Sequence, residues 1–377
     1  MTRPHRFDTL AAHAGIAPDP ASGALSPPLQ LATTFEHAPD AATPLGYLYQ
    51  RYGNPNQVQL EQALASLDGA ARAMFFATGM GAGTTAMQAL PPGSELLIAD
   101  DTYFGYRAVG AKWLDRWGVR HRVVDMSDLD AVRAALSPAT RLLWAETPSN
   151  PLLKVCDIAA LADIARGAGA RLLVDGTFAT PALQQPLALG ADIVLHSATK
   201  YLGGHGDVMG GVLAFAADDD FAAECSELRG QTGNTASPFA AWLVLRGLRT
   251  LPVRVERHCR NAQVVAEFLQ SHAGVEAVHY PGLATHPGHA IAARQMRGGF
   301  GGMLSFEVAG GREAALAVAG RLSLFTNATS LGSTESLVEH RASIEGAQSA
   351  SPQGLLRLSV GLEDPQDLVE DLAQALA

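Results

Sequence analysis

The sequence predicts an α/β protein with a large, mostly parallel sheet followed by a smaller α+β region. With 377 residues, the chain exceeds one hydrophobic core of ordinary size, which favours one large and one smaller domain. Between about 58 and 245, short apolar runs alternate with helical patterns. Such alternation is typical of a parallel sheet covered by helices on both faces. After this stretch, strand and helix patterns mix over a shorter length.

The first 48 residues are rich in Pro, Ala, Thr and Gly and show little periodicity. We predict that residues 1–48 form an extended arm that crosses a dimer interface. A large domain over residues 49–244 follows, in which Gly, Pro, Asp or Asn bounds each apolar run. Its seven predicted strands lie at 73–78, 95–100, 119–125, 141–146, 171–175, 192–197 and 210–215. Its predicted helices include VQLEQALASL, DLDAVRAAL and IAALADIARGAG.

A long helical stretch over 240–272 leads into the second domain, which we predict at 245–377. In this domain GGMLSFEV and LLRLSVG predict strands, whereas REAALAVAGRL and PQDLVEDLAQAL predict helices. The mixture predicts a smaller α+β domain. We expect functional residues of the large domain at the carboxyl ends of its strands, because open α/β sheets bind their ligands there.

Composition argues against several classes of function. The net charge of −10 and the lack of a Lys/Arg cluster argue against nucleic-acid binding and favour small-molecule ligands. The three cysteines have no CxxC spacing, so we expect neither a disulfide framework nor a metal site. The amino-terminal residues lack a signal-peptide pattern, and no apolar run is long enough to span a membrane. We therefore expect a cytoplasmic protein.

A lysine follows an apolar run in HSATKYLGGHGD, residues 196–207. Lysine is rarely fully buried unless it is paired, yet Lys200 follows a predicted buried strand. Asp175 ends the strand RLLVD, and one helix and one strand separate it from Lys200. Pyridoxal phosphate requires such a pair, because the amine bonds the aldehyde and the acid keeps the pyridine nitrogen protonated. The alternative is a helix-capping Asp and a Lys that binds a phosphate or a surface acid.

The segment ATGMGAGTTAMQAL, residues 77–90, predicts a phosphate site at a helix N-terminus. Gly79 and Gly81 let the backbone approach a ligand closely. Ser197 and Thr199 supply hydroxyl groups just before the lysine. We therefore expect the two segments to hold one phosphate between them.

Three of these glycines also suggest a dinucleotide-binding loop. Gly79, Gly81 and Gly83 resemble GxGxxG, and Asp100 and Asp101 follow about twenty residues later. The spacing is GxGxG, however, and the loop lies far from the start of the chain. This alternative also leaves the lysine and its flanking hydroxyl groups unexplained.

YLYQRYGNPN, residues 47–56, places Tyr49 and Arg51 on one face of an extended segment. Together they could bind an anion, with the arginine providing a bidentate fork. Since they follow the arm, we expect the anion in a neighbouring subunit. The alternative is a surface arginine beside a packed tyrosine.

Three further residues are candidates for cofactor or substrate contacts. Tyr103 in DDTYFG could stack on a cofactor ring, and Asn150 in ETPSNP could bind its phenolic oxygen; either could instead be a turn residue. Arg357 lies inside the apolar run LLRLSVG, where an unpaired charge would be costly. A substrate carboxylate or a structural salt bridge would explain it.

These motifs resemble the fold-type I pyridoxal-phosphate enzymes of Cys/Met metabolism over nearly the whole chain. The matching segments are DTLAAHAG, PPLQLATTF, YQRYGNPN, ATGM, ETPSNPLLK, VDGTF, HSATKYLGGHGD, YPGLATHP, SLGSTESL and LLRLSVGLED. The resemblance implies pyridoxal 5'-phosphate as cofactor, an amino-acid substrate and a homotetramer of two active-site dimers. The catalytic and cofactor-binding residues that it implies are Lys200, Asp175, Tyr103, Gly79, Met80, Thr177, Ser197 and Thr199.

The resemblance also implies roles for two smaller groups of residues. Tyr49 and Arg51 match a pair that reaches the phosphate of the adjacent subunit. Asn150, Ser330 and Arg357 match positions that receive the substrate carboxylate.

Three departures from the family pattern bear on the substrate. Gly176 in VDGTF stands where the family usually has Asn. The segment YFGYR is one residue shorter than its counterpart in γ-lyases and γ-synthases, so Arg107 does not align with the arginine of those enzymes. Thr329 stands where γ-lyases and γ-synthases that act on cystathionine usually have Glu. Threonine cannot pair with the distal ammonium group of cystathionine, so we expect Thr329 to influence the choice of substrate.

The resemblance implies cleavage of a C–S bond in a sulfur amino acid, most like a cystathionine γ-lyase. A cystathionine γ-synthase would use the same residues to add cysteine to an activated homoserine. A cystathionine β-lyase, a methionine γ-lyase and a non-catalytic ligand-binding protein are the remaining alternatives.

Overall fold

The computed structural model describes residues 5–346 and 351–377. The strands are β1 Arg72–Phe76, β2 Glu95–Ala99, β3 Arg120–Val124, β4 Thr140–Glu146, β5 Arg171–Asp175, β6 Ile193–Ser197, β7 Gly211–Phe215, β8 Val275–His279, β9 Met303–Val308, β10 Thr326–Asn327, β11 Leu337–His340 and β12 Leu355–Ser359. The helices are α1 Phe7–Ala12, α2 Pro55–Asp68, α3 Gly79–Gln88, α4 Phe104–Trp113, α5 Leu129–Ala135, α6 Ile158–Gly167, α7 Thr180–Leu183, α8 Asp220–Thr232, α9 Pro238–Leu248, α10 Leu251–Ser271, α11 His289–Gln295, α12 Gly311–Arg321, α13 Arg341–Glu345 and α14 Pro365–Leu376.

The predicted large sheet is confirmed, with seven strands in the order β1-β7-β6-β5-β4-β2-β3. Strand β2 pairs in parallel with β3 and β4, β4 with β5, and β5 with β6. Strand β7 is antiparallel to both of its neighbours, β1 and β6. The sheet is therefore mostly parallel, with its one reversed strand between β1 and β6.

Both faces of this sheet are buried, which explains why its strands are continuous apolar runs. Leu173 and Leu195 belong to a core cluster on one face, while Val194 and Val212 belong to a cluster on the other. Residues that alternate along a strand point to opposite faces, so each strand must be apolar on both sides.

A second sheet of five strands, in the order β10-β11-β12-β9-β8, confirms the smaller α+β region. The sequence predicted β9 and β12, which are buried over most of their lengths. It missed β8, β10 and β11. Strand β8 is VEAVH with partly exposed residues, β10 has two residues and β11 has four, so none forms a long apolar run.

The helical stretch predicted over 240–272 is two helices. Helix α9 ends at Leu248 and α10 begins at Leu251, with Pro252 in its first turn. Proline has no backbone N–H and is tolerated in the first turn of a helix but not in its interior. The apolar periodicity alone therefore predicts one helix, whereas Pro252 marks the start of a second.

In the described part of the predicted arm, residues 5–48, helix α1, which the sequence did not predict, is followed by turns and irregular segments. Leu25, Leu31 and Leu45 of this segment are more than half exposed. Crossing of a dimer interface by the arm stays a prediction. Among the residues that the structure describes, no helix is both long and apolar enough to cross a membrane.

Candidate active site

A cavity of about 300 Å³ lies where the carboxyl ends of β4, β5 and β6 meet the second sheet. Its position at the carboxyl edge of parallel strands is the usual one for ligand binding in open α/β sheets. It is lined by Thr78, Gly79, Met80, Tyr103, Tyr106, Glu146, Asn150, Asp175, Thr177, Phe178, Ser197, Thr199, Lys200, Met209, Thr329, Ser330, Leu331, Arg341 and Arg357. Every residue to which the resemblance assigns a catalytic, cofactor or substrate role is in this set except Tyr49 and Arg51.

Lys200 reaches the cavity from the turn that follows β6. Its Nζ donates a hydrogen bond to Ser330 Oγ at 2.9 Å, which joins the two sheets across the cavity. Burial, followed by the nearby Arg357 guanidinium, lowers the pKa of Lys200 to about 8, although Glu339 opposes the shift. A larger share of the neutral amine, the form that acts as a nucleophile, is therefore present near neutral pH than for an ordinary lysine.

Ser330, the partner of this lysine, has an unusual backbone. Its φ angle is 138°, a region that residues with a Cβ atom rarely adopt. Strained backbone of this kind occurs at functional sites when the surrounding structure over-determines it. The hydrogen bond from Lys200 thus falls on a residue whose position is tightly fixed.

Asp175 ends β5 and is 4% exposed. Its Oδ1 accepts a hydrogen bond from the backbone N–H of Thr177 at 2.9 Å. The hydroxyl of Thr177 in turn accepts from the backbone N–H of Ser197 at 2.8 Å, which ties the ends of β5 and β6 together. Burial raises the pKa of Asp175, so the buried carboxyl favours a cation as partner.

The N-terminus of α3 forms one side of the cavity. Thr78 caps the helix by accepting a hydrogen bond from the N–H of Gly81 at 2.9 Å, which leaves the N–H groups of Gly79 and Met80 without partners inside the helix. A Cβ atom on Gly79 would lie 3.0 Å from Ser197 Cβ and Oγ. Only glycine lets the helix approach the Ser197 hydroxyl so closely. The backbone N–H groups at the start of α3 and the hydroxyl of Ser197 then face the same part of the cavity.

The dinucleotide alternative finds no support in this loop. A Cβ atom on Gly83 would lie 2.3 Å from a ring carbon of Tyr106 and 2.7 Å from Trp144. Gly83 therefore serves the packing of α3 against these aromatic rings. The GxGxG pattern therefore reflects both the packing of α3, at Gly83, and the close approach to the cavity, at Gly79.

Arg357 of β12 is buried and held by three groups. It donates to Asn150 Oδ1 at 3.0 Å and to the carbonyl of Ser330 at 3.2 Å, and it pairs with Glu339 at 2.7 Å. Burial lowers the pKa of Arg357 to about 10, so it stays charged at neutral pH. Asn150 and Arg357, which the resemblance groups together, thus form one unit in the cavity wall.

Glu339 is the centre of a charged cluster that the sequence analysis missed. Its Oε2 accepts from Arg341 at 2.6 Å and pairs with Arg357, and its Oε1 accepts from the hydroxyl of Thr329 at 2.6 Å. Arg341 also donates to Glu345 at 2.8 Å. The hydroxyl of Thr329 is therefore engaged with a carboxylate that two guanidinium groups neutralise.

The structure gives a physical account of two of the departures. A Cβ atom on Gly176 would lie 3.0 Å from His196 Cε1, and His196 is held by Asp68 at 3.0 Å in the core below the sheet. Glycine at 176 therefore leaves room for this buried pair. Arg107 donates to the carbonyl of Thr102 at 3.1 Å and is not among the residues that line the cavity.

Tyr49 and Arg51 lie outside the cavity of their own chain. Arg51 donates to Tyr52 Oη and to the carbonyl of Gly230, each at 3.0 Å, and its guanidinium lies 5.6 Å from the ring centroid of Tyr49. Tyr49 is 44% exposed. This placement leaves the expected contact with a neighbouring subunit as a prediction.

Sequence reasoning missed Glu146 and Arg341 as cavity residues. Glu146 is the last residue of the predicted strand RLLWAE, so its position at a strand end was the available signal. Arg341 follows β11, which is too short to be predicted, and no local pattern marks it.

The residues present fit pyridoxal phosphate on structural grounds. The amine of Lys200 has a lowered pKa, which suits a bond to the aldehyde. The buried carboxyl of Asp175 suits a protonated ring nitrogen, since it otherwise lacks a cationic partner among the residues that line the described cavity. The space between Gly79 and Ser197, which a Cβ atom on residue 79 would fill, suits a phosphate at a helix N-terminus.

Comparison with known proteins agrees with this class of site. The model of the Cys/Met metabolism PLP-dependent enzymes matches residues 8–377, and the chain belongs to this family. It is a pyridoxal-phosphate-dependent enzyme of trans-sulfuration. A cystathionine gamma-synthase of Mycobacterium tuberculosis is 49% identical to it over 98% of this chain and 96% of the relative. A cystathionine gamma-lyase of Bacillus subtilis is 43% identical over 98% of both chains. The structure of metB from Corynebacterium glutamicum has a TM-score of 0.95 at 44% identity and covers 99% of this chain and 98% of that one.

Proposed function

We propose that the chain replaces the γ-substituent of an activated homoserine by cysteine, in the manner of a cystathionine γ-synthase. The observation that carries the proposal is that one cavity holds the amine of Lys200, the carboxyl of Asp175 and the guanidinium of Arg357. Relatives that are 48–49% identical are named cystathionine gamma-synthase. Their names favour replacement over the elimination that the sequence analysis put first.

The geometry of the cavity supports the cofactor contacts in this proposal. Lys200 would carry the cofactor, Asp175 would pair with its ring nitrogen and Tyr103 would stack on its ring. The phosphate would be held by Gly79, Met80, Ser197 and Thr199, with Thr177 supporting Asp175 and Ser197. When bound, the cofactor stores the electron pair that the substrate's α-carbon releases.

The protein's own groups would then bind the substrate and move protons. Arg357 and Asn150 would orient the α-carboxylate, since both face the cavity from one hydrogen-bonded unit. Lys200 Nζ, steered by Ser330, would take the proton from the α-carbon and return it during the reaction. The acyl group leaves as a carboxylate while the cysteine thiolate forms the new C–S bond, which gives cystathionine.

The second candidate is γ-elimination of cystathionine to cysteine, 2-oxobutanoate and ammonia. It uses the same residues, and a relative that is 43% identical is named cystathionine gamma-lyase. Relatives named L-methionine gamma-lyase and cystathionine beta-lyase are 43% and 42% identical, so these activities belong in the same test.

A substrate panel tests this proposal. The loaded enzyme is given O-acyl-homoserines with cysteine, and separately cystathionine, cysteine, methionine and homocysteine, and the products are scored as cystathionine, thiol, 2-oxo acid and ammonia. We expect the highest kcat/KM for cystathionine formation. Faster release of 2-oxobutanoate from cystathionine would replace the proposal by the γ-lyase, and no turnover of any substrate in the panel would overturn both candidates.

We also propose that Tyr49 and Arg51 complete the phosphate site of a neighbouring subunit within a homotetramer. Both residues lie outside the cavity of their own chain, and Tyr49 is 44% exposed, which supports this arrangement. Mixing Arg51→Ala chains with Lys200→Ala chains should then restore part of the activity, because some hybrid dimers carry one intact site. Recovery should be absent, after verified subunit exchange, if each chain builds its own site.

A further inference from the structure

Glu146 is a carboxyl group in the cavity wall to which the proposed function gives no role. It ends β4, and its partner in the register with β5 is Asp175. Neighbouring strands lie about 4.8 Å apart, so paired residues at the strand ends are close. Both side chains line the cavity, and each residue is 4% exposed. Two carboxyl groups therefore stand side by side in a site that is nearly closed to water.

The hydrogen bonds of Glu146 connect it to the start of α4. Its Oε2 accepts from the hydroxyl of Thr102 at 2.8 Å and from the backbone N–H of Tyr103 at 2.7 Å. The ring of Tyr103 lines the cavity. Glu146 therefore fixes the backbone from which this ring extends, without itself being the stacking group.

The charges around Glu146 do not favour a second carboxylate. Among the described residues, the titratable and charged groups that interact with it include Asp101, Tyr103, Tyr106, Cys156, Asp175 and Arg357. The one cation among them, Arg357, is already paired with Glu339 at 2.7 Å. Burial and then the Asp175 carboxylate raise the pKa of Glu146 well above its usual range. Like charges that share a buried site cannot both ionise at ordinary cost.

We propose that Glu146 is a positioning residue that keeps its proton in the cofactor-loaded enzyme, holding Tyr103 in place as a neutral acid while Asp175 alone carries the negative charge. The inference rests on the proposed function for the pairing of Asp175 with a ring nitrogen. One carboxylate balances one protonated nitrogen, whereas a second would leave an uncompensated charge in a buried site. A neutral Glu146 still accepts both hydrogen bonds through Oε2.

Two substitutions separate the proton from the hydrogen bonds. Glu146→Gln keeps a side-chain oxygen for Thr102 and Tyr103 but has no carboxyl group, whereas Glu146→Ala removes the acceptor. We expect kcat/KM to fall about 10- to 100-fold in Glu146→Ala, because the groups that it positions lose their geometry. Glu146→Gln should recover to within about 5-fold of wild type, roughly the effect of altering one hydrogen bond.

Infrared difference spectra of the loaded enzyme report the proton directly. Glu146→Gln should remove the C=O stretch of a protonated carboxyl group and leave the carboxylate bands unchanged. Glu95→Gln is the matched control, because Glu95 is equally buried but lies at the amino end of β2 and does not line the cavity. It accepts a hydrogen bond from Ser137 at 2.8 Å and pairs with Arg122 at 3.5 Å. The control should remove carboxylate bands instead.

The outcomes distinguish this inference from the proposed function. Loss of carboxylate bands in Glu146→Gln, or a shift of about one unit in the pH dependence of the cofactor absorbance, would show that Glu146 was ionised and overturn the inference. Equal losses of activity in Glu146→Gln and Glu146→Ala would also overturn it. Failure of the wild type to bind pyridoxal phosphate would instead overturn the proposed function, and that is read from its colour alone.

Discussion

The two walls of the cavity differ in both chemistry and origin. The sheet wall, formed by the ends of β4, β5 and β6, presents Glu146, Asp175 and the hydroxyl of Ser197. The second-sheet wall presents Ser330, Arg341 and Arg357, with Glu339 behind them. Carboxyl groups dominate the first wall and guanidinium groups the second. This division suits the cationic ring nitrogen of the cofactor at the sheet wall and the carboxylate of an amino-acid substrate at the second-sheet wall.

Lys200 joins the two walls, and its removal should have the largest effect. It belongs to the sheet wall through β6 and bonds Ser330 of the second-sheet wall. We expect Lys200→Ala to lower kcat by about 10²- to 10⁴-fold, since the variant loses the group that we propose moves the substrate proton. Borohydride should fix the cofactor on Lys200 in the wild type, as mass spectrometry of peptides can verify. An adduct on another lysine, or none, would contradict the assignment.

Arg357→Gln should affect substrate binding and leave the cofactor in place, which tests whether the two walls have separate tasks. The proposed contact of Arg357 with the substrate carboxylate is charge-assisted, so we expect kcat/KM for the amino-acid substrate to fall about 10- to 150-fold. The cofactor's colour should be retained. Asn150→Ala, which removes the partner of Arg357, should cost less because the charge remains. Loss of the cofactor in Arg357→Gln would show that the walls are not separable.

The walls are coupled through charge, and a pH profile can measure the coupling. In the cofactor-free chain the pKa of Lys200 is lowered to about 8, by burial and then by Arg357. Only the neutral amine bonds the aldehyde, so recombination with pyridoxal phosphate should accelerate about tenfold per pH unit below pH 8 and level off above it. Removing the guanidinium should raise the pKa, so the profile of Arg357→Gln should move to higher pH. Arg166→Gln, at an exposed site far from the cavity, is the control and should leave it unchanged.

The same division explains how far the sequence could predict this molecule. Each residue of the sheet wall stands at the end of an apolar run, and the topology of a parallel sheet brings such ends together. Asp175, Ser197 and Lys200 could therefore be placed in one site before the structure was known. Glu146 stands at an equally informative position, at the end of the predicted strand RLLWAE.

The second-sheet wall could be predicted only in part. Arg357 interrupts an apolar run, which marks it as a buried charge. Glu339 and Arg341 lie in and after β11, a strand of four residues with no apolar pattern of its own. Their roles depend on the pairing of β11 with β12, which sets Glu339 opposite Arg357. Pairing between strands that are remote in sequence leaves no local signal.

Thr329 tests the charge of the second-sheet wall, and it should give the smallest effect. The sequence alone suggests that Thr329→Glu would supply a carboxylate for the distal ammonium of cystathionine. The structure tempers this expectation, because the Thr329 hydroxyl contacts Glu339 Oε1 at 2.6 Å and a second carboxylate there would be repelled. We therefore expect Thr329→Glu to shift the ratio of kcat/KM values toward cystathionine by less than about 10-fold, the low end for a charge-assisted contact.

Thr329→Gln is the control for this substitution, because it has nearly the same size and no charge. It should leave the ratio close to that of the wild type, and the shift in Thr329→Glu should shrink with added salt if the contact stays accessible to solvent. Equal shifts in both variants would assign the effect to size. The remaining outcome is a wild type that prefers cystathionine strongly, with a ratio of kcat/KM values that Thr329→Glu leaves unchanged. That result would mean that another residue binds the distal ammonium group. In that case the balance of Glu339 against its two arginines, and not residue 329, would set the specificity of this wall.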